Sequence, residues 1–232
     1  MGRSGMRNYD EPILRSRRIA PAAPFPVLHQ AVRIALYDEY AGHGFHAGVV
    51  EAFGPRQPFV DILRSGERHI AALSNLCQRF GIPRPLDPFP QETTVSPGWL
   101  LNCERAVAGE MARVRLYQYL LAQVAEPEAR RVFQDLLAAS LERHLPAFRR
   151  AVEDAMAQER YHAARGIPPE AAYVRHGPFS DFLERVLSHA GPLGIFSPLL
   201  RHSHPAMLAG MVAGGAGIYL LKNRPGRNRE ED

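Results

Sequence analysis

Apolar residues recur at alternating three- and four-residue steps in four segments, about 27–53, 58–80, 99–124 and 127–158. That period belongs to helices that bury one face. The first seam reads Leu28, Val32, Ala35, Glu39, Gly42, His46, Val49, Phe53, and the second Phe59, Ile62, Gly66, His69, Leu73, Leu76, Phe80. The third reads Leu100, Cys103, Val107, Glu110, Val114, Tyr117, Leu121, Val124, and the fourth Phe133, Leu137, Leu141, His144, Phe148. Near its middle each stripe is interrupted by an ionisable residue: Glu39, His69, Glu110 and His144. An ionised group buried alone costs several kcal/mol. These four must therefore meet one another, or a cation.

The links between segments are short, long and short: "GPRQP" at 54–58, a proline-rich stretch at 81–98, and a break at Glu126 and Pro127. This spacing predicts an all-α fold, a four-helix bundle of two antiparallel hairpins joined by one long crossover. The chain also nearly repeats itself, with "SGERHIAAL" at 65–73 and "SLERHLPAF" at 140–148. The repeat puts His69 and His144 at matching places in the two halves. Glu39 precedes His46, and Glu110 precedes Tyr117, by seven residues. Seven residues is about two turns, so each pair shares a helix face.

Composition adds limits. With 232 residues, 46% of them hydrophobic and 22% charged, the chain can fill one sizeable core and still carry tails. Two cysteines, Cys77 and Cys103, are too few for a disulfide framework and point to a reducing compartment. The predicted helix directions put them near opposite ends of the bundle, as buried apolar fillers. Residues 1–26 read as a basic disordered arm, with Arg3, Arg7, Arg15, Arg17 and Arg18 set against Asp10 and Glu11. No stacking aromatics accompany that charge, so nucleic-acid binding is not favoured. No apolar signal-peptide core follows the arginines, which predicts a cytoplasmic protein.

Two carboxylates face to face repel unless one is protonated or a cation lies between them. A divalent ion removes the repulsion and takes imidazole nitrogens as further ligands. Glu39, His69, Glu110 and His144 are the candidate metal set, for a single Fe, Mn or Zn ion rather than two. His43, His46, Glu67, Tyr117 and Glu142 are candidate supporting or substitute ligands, and Tyr117 reads better as a packed tyrosine than as a redox relay. The alternative is a bundle in which the histidines hydrogen-bond the glutamates and no metal binds.

The stretches "ALYDEYAGHGFHAGVVEAFG" (35–54), "ILRSGERHIAALSNLCQRFGIP" (62–83), "AGEMARVRLYQYLLA" (108–122) and "RRVFQDLLAASLERHLPAFRRAVE" (130–153) resemble the ferritin-like superfamily, in particular a rubrerythrin-related bacterial branch. The resemblance covers roughly residues 28–155. It implies a metal set of one Glu from the first helix, Glu-x-x-His from the second, and the same from the third and fourth. Glu39, His69, Glu110 and His144 match. The glutamates expected three residues before each histidine are Gly66 and Leu141 here, which argues against a two-metal centre. Glu67 and Glu142 precede the histidines by two residues and face away on an ideal helix. A π-bulge would be needed to swing either inward.

The bundle is expected at 27–158, followed by a connector with a short helix at 159–204. Residues 205–221, "PAMLAGMVAGGAGIYLL", carry no charge, and a charged tail follows at 222–232. That length is at the ~17-residue lower limit for spanning a bilayer. It makes 205–221 a candidate anchor to the inner face of a membrane, with a helix buried against the bundle or a homodimer contact as the competing readings. His202 and His204 read as part of a solvated loop. The function expected is a ferritin-like metal-binding protein in redox or metal handling. The rival is a non-catalytic helical scaffold or adaptor with a degenerate site. Space opposite Gly66 favours metal, and a site filled by hydrogen bonds and Leu141 favours the scaffold.

Overall fold

A computed structural model describes residues 8–166, which are helical with no strand among them. The elements are α1 (Glu11–Ser16), α2 (Val27–Phe53), α3 (Phe59–Arg79), α4 (Phe89–Glu92), α5 (Trp99–Gln123), α6 (Pro127–Ala138), a π-helical stretch (Ala139–His144) and α7 (Leu145–Ala163). The candidate anchor 205–221, the tail 222–232, His202, His204 and most of the expected connector lie outside the described residues. Contacts divide the chain into two units, Met1–Met156 and Ala157–Asp232. In the second, the described residues complete α7, and the Arg165 guanidinium lies 3.5 Å over the Tyr161 ring. No helix among the described residues is long and apolar enough to cross a membrane.

In the first unit α2 packs on α3 and α5, α5 packs on α6 and the π stretch, and α3 packs on α6. Side-chain pairs set the directions. Along α2 and α5, Phe53 meets Trp99 while Glu39 meets Tyr117, so these helices are antiparallel. Along α2 and α3, His46 meets Phe59 while Glu39 meets His69, which is antiparallel again. The α6–π–α7 rod runs against α5, pairing Phe133 with Tyr117 and His144 with Glu110.

Leu14, Val32, Leu36, Leu73, Leu76, Leu120, Phe133 and Leu136 belong to the apolar cluster at one end of this body. Each fully buried side chain of that size stabilises by about 1.5–3 kcal/mol. At the other end Phe45, Phe59, Trp99 and Phe148 are buried, with Phe59 edge-on to the other three rings at centroid distances of 5.0–6.1 Å. The polar residues of the four seams lie between these two apolar layers.

Two seams differ from the expected ones. On α5 the buried line runs through Trp99, Cys103, Ala106, Glu110, Arg113, Tyr117 and Leu120, while Val107, Val114 and Leu121 sit half-buried beside it. On the fourth rod the line is Phe133, Leu136, Ser140, His144, Phe148, and Leu141 is 43% exposed. The reason is the π stretch. Its wider turn spaces the inward positions by four residues and turns Leu141 out to solvent.

The N-terminal segment corrects the expectation of a disordered arm. From residue 8 onward it is ordered and docked. Asp10, buried, takes a bidentate pair from Arg33, Nε to Oδ2 at 2.7 Å and Nη2 to Oδ1 at 2.6 Å, and the same guanidinium lies 4.2 Å over the Tyr9 ring. Tyr37 donates to Glu11 at 2.8 Å, the Ile19 N–H donates to Tyr119 Oη at 3.0 Å, and Gln30 both donates to and accepts from the Ala20 backbone. Of the arginines counted as a solvated charge run, the three among the described residues have partners, Arg18 over the Tyr119 ring. Arg15 bonds Glu11 and Glu92, and Arg17 reaches Asp38.

The crossover lies close against α2 because α2 is small there. A Cβ at Gly48 would stand 2.8 Å from Val95 Cγ2. Asn102, fully buried, then ties the crossover to α5 by bonding the Ser96 N–H and C=O and the Gly98 C=O.

Candidate functional site

The structure brings Glu39, His69, Glu110 and His144 to one level, each at least nine-tenths buried. The halves are built alike. His69 Nδ1 lies 3.3 Å from Glu39 Oε2, and His144 Nδ1 lies 3.5 Å from Glu110 Oε2. The two imidazoles stack across the centre at 5.6 Å between centroids and 29° between planes. The repeat of Ser-x-Glu-Arg-His thus produces a pseudo-symmetric pair of carboxylate–imidazole contacts.

Between the carboxylates stands a residue that the seam reading passed over. Arg113, one helical turn beyond Glu110, is 8% exposed. Its Nη1 donates to Glu110 Oε1 at 2.5 Å, and its Nε donates to Asp38 Oδ2 at 3.1 Å and lies 3.5 Å from Glu39 Oε1. Tyr117, one turn further, donates its hydroxyl to Glu39 Oε1 at 2.5 Å. Asp38 is shared: its Oδ1 is 2.5 Å from Nη2 of Arg17, which ends α1 in the left-handed region at φ 56°. Gly42 makes the arrangement feasible, since a Cβ there would stand 2.1 Å from Arg113 Nη2.

These contacts govern ionisation. Burial alone would raise the Glu39 carboxyl, but Arg113, then His69 and Tyr117, hold it down to about 2. Glu110 is likewise opposed by burial, yet lowered to about 2 by Arg113 and His144. Burial disfavours the Arg113 charge, but Glu110, Glu39 and Asp38 more than offset that and keep it protonated. Burial, joined by the Glu39 charge, raises the Tyr117 phenol well above its ordinary range. An arginine buried beside three carboxylates is a permanent cation, because guanidinium does not deprotonate in proteins.

The fit to a metal fails on this geometry. Glu39 Oε1 and Glu110 Oε1 already face the guanidinium. His69 has both nitrogens engaged, since Ser65 Oγ lies 3.3 Å from Nε2 while Nδ1 faces Glu39. A proton assigned to Nδ1 satisfies both contacts. Among the described residues no group of three or more His, Cys, Asp and Glu side chains is placed to hold a metal ion. Glu67 and Glu142 are exposed, and the π stretch that could have turned Glu142 inward instead buries Ser140. Neither glutamate substitutes for a lost ligand. His43 is half-buried, its Cδ2 3.9 Å from where a Gly66 Cβ would stand. His46 sits among Phe45, Phe59 and Phe148, and burial, with Arg113 adding to it, lowers it to about 3. It is a neutral member of the aromatic layer.

Leu141, expected as a filler of the site, points to solvent, so it fills nothing. Glu110 Oε2 and His144 Nδ1 face each other at 3.5 Å with no closer hydrogen bond, and Ser140 Oγ is buried without one. Cys77 and Cys103 are free and buried, and burial pushes the Cys103 thiol up to about 12 and the Cys77 thiol upward, so neither is a poised nucleophile.

The sequence holds one trace of Arg113's place, though not of its burial. Arg113 lies three residues after Glu110 and four before Tyr117, on the same face, and opposite a glycine-rich run of α2. It was missed because a charged residue ordinarily lies off the buried stripe. Compared with known protein families, curated proteins and solved structures, the chain matches none.

Proposed function

We propose that residues 27–158 form a ferritin-like four-helix bundle that serves as a non-catalytic scaffold or adaptor, its centre closed by an internal ion network in place of a metal. The reading of the bundle rests on the short–long–short connections and on four inward donors at one level, one from each rod. The single observation that carries the functional reading is the bonding of Arg113 to Asp38 and Glu110 beside Glu39. A site whose carboxylates are committed to guanidinium has no open coordination position and no exposed reactive group, which suits a binding protein better than an enzyme. The uncharged run 205–221 followed by Lys222, Arg224, Arg227 and Arg229 supports attachment to the inner face of a membrane, with the bundle in the cytoplasm.

The test is elemental analysis of the purified chain, followed by calorimetric titration with Mn²⁺, Zn²⁺ and, without oxygen, Fe²⁺. The scaffold reading predicts far less than one ion per chain and no saturable heat. One Fe, Mn or Zn per chain, lost in a His69→Ala/His144→Ala variant, would establish the metal-handling reading instead. That second reading is favoured by Glu110 Oε2 and His144 Nδ1, which make no hydrogen bond closer than their 3.5 Å contact with each other.

A further inference from the structure

Resting on that reading, a more specific assignment concerns what the central carboxylates are built to hold. We infer that Asp38, Glu39 and Glu110 form a cation cage whose resident cation is the chain's own Arg113 guanidinium, admitted by the missing side chain at Gly42. Three observations converge. The three carboxylates come from two helices and are 1–3% exposed, so they need positive charge at that point. The guanidinium meets them from one side, at 2.5 Å to Glu110, 3.1 Å to Asp38 and 3.5 Å to Glu39. A methyl group on Gly42 would overlap Nη2 at 2.1 Å, so the pocket is shaped to this side chain from the facing helix.

The cage is not saturated. Glu110 Oε2 and His144 Nδ1 face one another at 3.5 Å, and neither makes a closer hydrogen bond. Removing Arg113 therefore leaves a buried anionic cavity with unused acceptor capacity. Its complementary ligand is a small cation: either guanidinium, which reproduces the lost fork, or a divalent metal ion, which takes carboxylate and imidazole together. The cage and its occupant are separable in principle, and the separation can be measured.

The experiment uses the full chain as wild type, Arg113→Ala, Gly42→Ala and the double variant, melted with and without 5–10 equivalents of Mn²⁺ or ~10 mM guanidinium (an order-of-magnitude choice below its denaturing range). Arg113→Ala is expected to melt on the order of 10 °C lower and to recover much of that loss with either cation, while wild type responds to neither. Arg113→Ala that melts with wild type, or that folds yet ignores both cations, overturns the cage. The Gly42→Ala penalty is expected to vanish when Arg113 is already alanine, because nothing is left to overlap. An undiminished penalty in the double variant overturns the fit between Gly42 and Arg113. Should Arg113→Ala stay unfolded alone, the same assignment requires either cation to restore folding, and failure of both counts against it. Metal bound by wild type would defeat the scaffold reading while leaving these variant outcomes to decide the cage.

Discussion

Arg113 bonds more of the buried layer than any other single side chain described above, so substitutions around it rank the contacts. Arg113→Met leaves Glu39 and Glu110 without their guanidinium, and Asp38 with Arg17 alone, and should cost about 3–5 kcal/mol in urea unfolding. Tyr117→Phe removes one charge-assisted hydrogen bond to Glu39 and should cost about 1.5–3 kcal/mol. A Tyr117→Phe cost as large as that of Arg113→Met would mean that the guanidinium is not the main partner of Glu39. The same network dictates the response to acid. Glu39 and Glu110 are both held to about 2, below their unfolded values near 4.5, so their stabilisation is full above pH 4.5 and drains away as pH falls through 2. Each can contribute on the order of 2–3 kcal/mol. Urea midpoints should begin to fall below about pH 6.5, because the fold holds His46 neutral down to about 3, and should fall more steeply below about 4.5 as Glu39 and Glu110 add their loss; in Arg113→Met the steeper fall should begin at higher pH. At this scale Glu39, His69, Glu110 and His144 were legible as inward residues, since each breaks an apolar stripe. Their partner was not legible, because nothing in the spacing of Arg113 separates a buried arginine from one that snorkels to solvent.

Helices were legible from periodicity, but two details of the elements were not. The π stretch Ala139–His144 inserts extra backbone into a run that reads as continuous helix, and it moves Leu141 to the surface while keeping His144 inside. Hydrophobic spacing tolerates one such slip, since Leu137 and Leu141 fit an ideal seam as well as Leu136 and Ser140 do. The N-terminal segment misled for another reason. Its composition is that of a solvated tail, and only the distant partners Arg33, Tyr37 and Tyr119 make it an ordered strap. The Asp10–Arg33 pair is the buried link in that strap, with both side chains 3% exposed or less. Asp10→Ala should therefore cost about 3–5 kcal/mol and raise amide exchange across residues 8–20 before the rest of the chain opens. Exchange that rises only with global unfolding would show that the segment is held by its apolar contacts, such as Leu14, rather than by the ion pair.

At the scale of the first unit, the packed helices hold a polar layer between an aromatic and an aliphatic one. Low local dielectric strengthens every contact in that layer, and it penalises any member left without a partner. A resident guanidinium meets that demand without recruiting anything from solution, and this is what supports the proposed scaffold over a metal centre. The most direct test is the nitrogen-15 spectrum of the arginine Nε–H groups in the full-length chain at neutral pH. The account predicts that the Arg113 signal, identified by its loss in Arg113→Lys, is protected from exchange with water and unmoved by one equivalent of Zn²⁺. A signal that exchanges like those of surface arginines, or that shifts when zinc is added, would contradict a guanidinium resident in the cage.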